Sequence, residues 1–154
     1  MAVQKTNFTF RSASKAGVTL NCFRYLDDTK DPVGVVMITH GLSECIEMFE
    51  DQAVFLAENG YICAGMDFLG HGTTNGPGCV GIAPDDTNEA IWKDMFTIYE
   101  MVRNEYPDLP VFSFAHSMGA MMVRTFLAMY GDRLDIKASF FTRSEEHTSE
   151  LQSR

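Results

Sequence analysis

The sequence predicts an α/β fold in which a mostly parallel sheet lies between helix layers. Three observations carry this. Four largely apolar runs, "VGVVMIT" (33–39), "YICAGM" (61–66), "VFSFA" (111–115) and "IKASFF" (136–141), have the texture of strands buried on both faces. Segments of helical period separate them, and strand–helix–strand repetition implies right-handed crossovers. Finally, "HGLSE" (40–44), "DFLGHG" (67–72) and "HSMG" (116–119) directly follow the first three runs, at the sheet end where ligands of parallel sheets sit.

In chain order, "NFTFRSA" (7–13) and "VTLNCFRYL" (18–26) alternate at period two around Lys15-Ala16-Gly17, which predicts a hairpin of antiparallel edge strands. The buried strand 33–39 follows. Residues 47–59 place Phe49, Ala53 and Leu56 on one helical face, with Gly60 as the stop. After the strand 61–66, residues 70–84 are rich in Gly, Pro and Thr and read as a loop. Asp86 and Glu89 resemble a capping box that opens a helix carrying Ile91, Met95, Ile98 and Val102 and closing before Pro107. Behind the strand 111–115, Met118, Met121, Met122, Thr125, Phe126 and Met129 trace a second helical stripe. The strand 136–141 is then the fourth parallel strand and about the sixth overall, and the fold is expected to be truncated after it.

Hydrophobic content of 45% with 12% aromatic residues excludes disorder and supports one core. A net charge of −9 without any Lys/Arg cluster argues against nucleic acid or an anionic membrane as partner. Cys22, Cys45, Cys63 and Cys79 lie far apart without metal or disulfide spacing, and nothing calls for a cofactor or metal. The N-terminus has no secretory h-region and no run has the length of a membrane span or stable anchor, which points to the cytosol. The pattern leaves the oligomeric state open.

The texture changes at Arg143: "RSEEHTSELQSR" has one apolar residue, Leu151. The string resembles an in-frame translation of a sequencing adapter. Composition alone reads it as a polar tail. We expect residues 1–142 to be the N-terminal part of a domain and 143–154 to be non-native and unpacked.

The stretch Ala115-His116-Ser117-Met118-Gly119 is a small-x-Ser-x-Gly turn between a buried strand and an amphipathic helix. That corner lifts a serine above the sheet, and small flanking residues relieve its crowding. A serine that merely caps the helix is the plain alternative. His40-Gly41-Leu42 supplies a glycine turn whose next N–H, that of Leu42, can face the serine. With the N–H of Met118 it would form a two-donor oxyanion hole.

Together these motifs resemble the α/β-hydrolase fold, specifically the branch of monoacylglycerol lipases, lysophospholipases and serine aminopeptidase-like (S33-type) hydrolases. The resemblance covers about residues 8–142. It implies an acyl-ester serine hydrolase acting on a small acyl-ester substrate, with Ser117 as nucleophile and Leu42 and Met118 as oxyanion donors; an aminopeptidase or other small-ester or amide hydrolase is the alternative. It further implies that Asp67, Gly70, His71 and Gly72 form a structural loop. Ala115 stands where relatives usually have Gly, and Cys45 where they often have His.

In this fold the order is Ser, acid, His. After Ser117 the only histidine is His147, inside the adapter-like tail. His40 and His71 precede the serine and His116 adjoins it, while Asp132 and Asp135 follow the serine's own helix as cap or loop residues. The triad acid and histidine are therefore expected downstream of residue 142, and the 154-residue chain is expected to be inactive.

Overall fold

A computed structural model describes residues 2–74 and 83–143. Cys79, His147 and the adapter-like stretch beyond Arg143 lie outside the described residues, as does most of the Gly- and Pro-rich part of the 70–84 loop. Strands β1 (Val3–Arg11) and β2 (Thr19–Asp27) form the expected hairpin, with Phe8 opposite Cys22. The remaining elements are β3 (Gly34–Thr39), a 3-10 turn (Ile46–Phe49) running into α1 (Glu50–Glu58), β4 (Tyr61–Met66), α2 (Thr87–Glu105), β5 (Val111–His116), α3 (Met118–Tyr130), a second 3-10 turn (Gly131–Arg133) and β6 (Ile136–Thr142).

One sheet holds all six strands in the order β1-β2-β4-β3-β5-β6. Only β1 is an edge strand of the hairpin. β2 lies inside the sheet, antiparallel to β4, and the β4-β3-β5-β6 pairs are parallel. The crossover from β3 to β4 steps one way along the sheet, whereas that from β4 to β5 passes back over β3 and steps the other way. The reversal places the carboxyl ends of β3 and β5 side by side, which is the topological switch point where doubly wound sheets open a crevice.

The 3-10 turn and α1 cover one face, packing Phe49, Ala53 and Ala57 on Val36, Ile38 and Cys63. Helices α2 and α3 cover the other, with Met95, Ile98, Met122 and Phe126 on Leu20, Met66 and Ala115. Alternate residues of β3 and β4 thus enter opposite layers, which explains their unbroken apolar character.

Besides the interior place of β2, three expectations need correction. The α3 stripe is displaced: Gly119, Ala120, Met122, Val123 and Phe126 are buried, whereas Thr125, Met121 and Met129 face outward. Apolar residues surround this helix, so period alone does not pick its inner face; the small pair Gly119-Ala120, which lets it approach β3, does. Asp86 makes no side-chain cap on α2. Its carboxylate instead accepts from Ser14 Oγ (2.6 Å) and Lys15 N (2.7 Å) of the β1–β2 turn. Finally, β6 is not buried on both faces: Lys137, Ala138 and Phe140 are exposed.

Candidate active site

Ser117 sits between the last residue of β5 and the first of α3, with φ 52° and ψ −122°. Positive φ in a residue with a Cβ costs on the order of 1–3 kcal/mol and persists only where the surroundings enforce it. They do so here from both sides. The Ser117 N–H donates to Thr142 O at 2.8 Å, tying the corner to the end of β6. Two residues on, Gly119 lies so close to β3 that a Cβ would meet His40 O at 2.6 Å and Thr39 O at 2.7 Å.

The β3 loop meets Ser117 directly. A Cβ on Gly41 would lie 3.1 Å from Ser117 Cβ and 2.8 Å from Glu44 Oε2, so only glycine leaves room for both neighbours. Leu42, the next residue, is 66% exposed and stands at the rim. Met118 begins α3, half-buried, and Ala115 is fully buried beneath the corner. The structure therefore gathers Ser117, Gly41, Leu42, Met118 and Gly119 at one end of two adjacent parallel strands.

His40 is fully buried. Its Nε2 lies 3.1 Å from the Phe68 N–H, which can only donate, so Nε2 accepts and the proton sits on Nδ1, donating to Gly41 O at 2.8 Å. Burial holds the ring's pKa down to about 4, so the imidazole is neutral and fully engaged near pH 7. His71 directs Nδ1–H to Leu69 O (3.0 Å), with its ring centre 5.2 Å from that of His40. Asp67 is buried and accepts from Ile46 N (2.8 Å) and Thr73 N (3.2 Å), joining the loops after β3 and β4; burial raises its pKa. These three groups are fasteners.

His116 is held in a polar bridge. Its Nδ1 is 2.8 Å from Thr142 Oγ1 and its Nε2 is 3.4 Å from Glu44 Oε1. Neither Glu44 nor Thr142 was singled out as a site residue from sequence. The available signal was positional: each closes the segment following a parallel strand or ends one. Asp132 and Asp135 lie between α3 and the start of β6, at the opposite end of the strands from Ser117, and Asp135 pairs with Lys137 at 2.6 Å. Among the described residues Cys22, Cys45 and Cys63 are free thiols, and burial pushes Cys22 and Cys63 up to about 12.

A strained serine on a strand-to-helix corner, at the switch point of a mostly parallel sheet, defines the class as an α/β-hydrolase. The model of the family "Serine aminopeptidase, S33" (Hydrolase_4) matches residues 30–141, and the chain belongs to that family. A monoacylglycerol lipase of Mycolicibacterium smegmatis is 29% identical over 128 residues, which cover 83% of this chain and 44% of the lipase. The monoglyceride lipase of Homo sapiens is 29% identical over 96 residues, 62% of this chain and 30% of that one. Among solved structures, a thermostable carboxyl esterase from Bacillus coagulans in complex with glycerol superposes with a TM-score of 0.81 at 27% identity, covering 99% of this chain and 49% of the esterase. The chain thus spans less than half the length of these relatives. No helix among the described residues is long and apolar enough to cross a membrane.

Proposed function

We propose that the protein carrying this chain is a serine hydrolase of acyl esters, with a monoacylglycerol- or lysophospholipid-like substrate. The observation that carries the reading is the strained Ser117 corner in contact with Gly41. Ser117 Oγ attacks the ester carbonyl, and the N–H groups of Leu42 and Met118 receive the charge that develops on its oxygen. A histidine takes the serine proton and passes it to the leaving alcohol; water then releases the acid from the acyl-serine.

The histidine and the acid that orients it come, on this reading, from sequence beyond residue 142, in place of residues 143–154. Its support is that His40, His71 and His116 are each committed to other partners, and that the match covers only 44% of the mycobacterial lipase. The lipase and esterase names among those relatives favour an ester. The name of the family favours an aminopeptidase as the second reading.

The test is to recover the downstream reading frame and purify the full-length protein. We expect it to hydrolyse a monoacylglycerol and a short-chain aryl ester, to take up a fluorophosphonate probe, and to lose both with Ser117→Ala. Preferential turnover of aminoacyl anilides would move the assignment to an aminopeptidase. The 154-residue chain should show negligible turnover and little labelling, because a serine without its base keeps only residual catalysis. Robust Ser117-dependent turnover by that chain would sink the assignment of the base to downstream sequence.

A further inference from the structure

We propose that Glu44 is a positioning residue, which aims the oxyanion donor of the β3 loop and locks that loop to the serine corner. This rests on the assignment of Ser117 and Leu42 above.

The loop is a tight turn closed by Glu44 N donating to Gly41 O at 3.4 Å, with Ser43 at φ 59°. A non-glycine residue in that region needs to be held there. Glu44 holds it through its side chain as well: Gly41 N donates to Glu44 Oε2 at 2.6 Å.

Peptide planarity turns these bonds into an aiming device. Every peptide bond among the described residues is trans, and in a trans peptide the N–H and C=O point in opposite directions. Gly41 O is fixed by two donors, the His40 ring and Glu44 N, so the Leu42 N–H of the same peptide is fixed on the opposite side. The preceding peptide is fixed by its N–H, through Glu44 Oε2, leaving His40 O facing Gly119 at the start of α3. Both peptide planes around Gly41 are therefore set by Glu44 together with the buried imidazole.

The second carboxylate oxygen closes a circuit. Glu44 Oε1 faces His116 Nε2, His116 Nδ1 meets Thr142 Oγ1, and Thr142 O accepts from Ser117 N. One side chain thus spans the donor loop and the residue next to the nucleophile. Displacing a preorganised donor raises the barrier to the transition state without weakening substrate binding, so the loss should fall on kcat.

The experiment uses the full-length protein and two variants. Glu44→Met keeps the length of the side chain and removes the acceptors; Glu44→Gln retains an acceptor for Gly41 N and a polar group facing His116 Nε2. For Glu44→Met we expect kcat to fall about 10- to 100-fold, somewhat less than removal of a whole donor, with KM unchanged. Affinity for a trifluoromethyl ketone, which forms an oxyanion on the serine, should fall in parallel. Glu44→Gln should restore most of both. Should Ser117→Ala abolish turnover while Glu44→Met leaves kcat and ketone affinity intact, the role of Glu44 is overturned and the nucleophile stands. Equal impairment of Gln and Met variants likewise overturns it, because the acceptor would then not be what matters. Full activity in Ser117→Ala would instead remove the underlying reading.

Discussion

At the scale of single residues, the site is built by close approach, and that part was legible in the sequence. Gly119 was singled out as a small flank of a crowded strand-to-helix corner, Ser117 as the residue that corner lifts, and Gly41 for the turn that aims the next N–H; the distances around the two glycines are those of crowded backbone. What sequence could not show is the Glu44 bridge, since it depends on which of several polar side chains two distant loops bring together. The Gly119 contact gives a first prediction. A methyl there would meet backbone carbonyls, which cannot rotate away, so Gly119→Ala should destabilise the fold by about 3 kcal/mol. Urea unfolding of the variant measures it, and a loss near zero would mean that α3 can slide outward. His40 gives a second. The unfolded chain binds a proton at this histidine below its ordinary 6.5, whereas the folded chain refuses it down to about 4. Its contribution to stability is therefore present above pH 6.5 and lost as pH falls toward 4, by roughly 3 kcal/mol across the window. Asp67 and Asp94 act in the opposite sense, because burial raises their pKa values and stability from them is lost as pH rises. The His40 share is thus read as the difference in pH dependence between wild type and His40→Gln; identical slopes would remove it from this role.

At the scale of elements, hydrophobic period located all six strands and the three α-helices, though it set the first strand at 7–13 where β1 runs Val3–Arg11 and missed the 3-10 turn Gly131–Arg133; burial on one or two faces is what period reports. It failed where a helix is apolar all round, as with the α3 stripe, and where a polar side chain chooses a tertiary partner over a local one. Asp86 is the second kind: two donors of the β1–β2 turn outcompete its own helix terminus. Asp94 on α2 does the same job one layer deeper, accepting from Ser12 Oγ (2.6 Å) and Ala13 N (2.7 Å) while itself buried. These two aspartates fasten the hairpin to α2. Asp94→Ala would strand a buried hydroxyl and a part-buried N–H, and should cost about 2 kcal/mol in chemical denaturation. Asp94→Asn, which keeps an acceptor, should lose less, and Asp86→Ala less than Asp94→Ala because water can replace its bonds. If the ranking came out reversed, the anchoring of the turn would lie with Asp86.

At the scale of the molecule, the sheet is covered unevenly; a sheet ending with "IKASFF" is expected from sequence to leave apolar edge and helix faces uncovered, but that run does not say which residues form the open surface. On the α1 face, cover stops partway. An open apolar groove of about 560 Å³ runs between α1 and β5–β6, lined by Phe55, Leu56, Phe112, Phe114 and Phe140 among others. Phe55 is 64% exposed and Phe140 63%, the latter stacked on Phe114 at 5.8 Å. Contiguous apolar surface of this kind is uncommon on soluble monomers and favours association. The hydrophobic gain from covering one such aromatic side chain is about 1.5–3 kcal/mol, so two or three at an interface outweigh the weak repulsion between acidic surfaces at moderate salt. We therefore expect the 154-residue chain to self-associate and to enhance the fluorescence of an apolar dye. Phe55→Lys combined with Phe140→Lys should reduce both, since each places a charge on the groove without touching the Ser117 corner. Sedimentation of the wild-type chain as a monomer with no dye response would show that the groove is closed in solution, and with it that α1 and β6 sit closer together than their present separation.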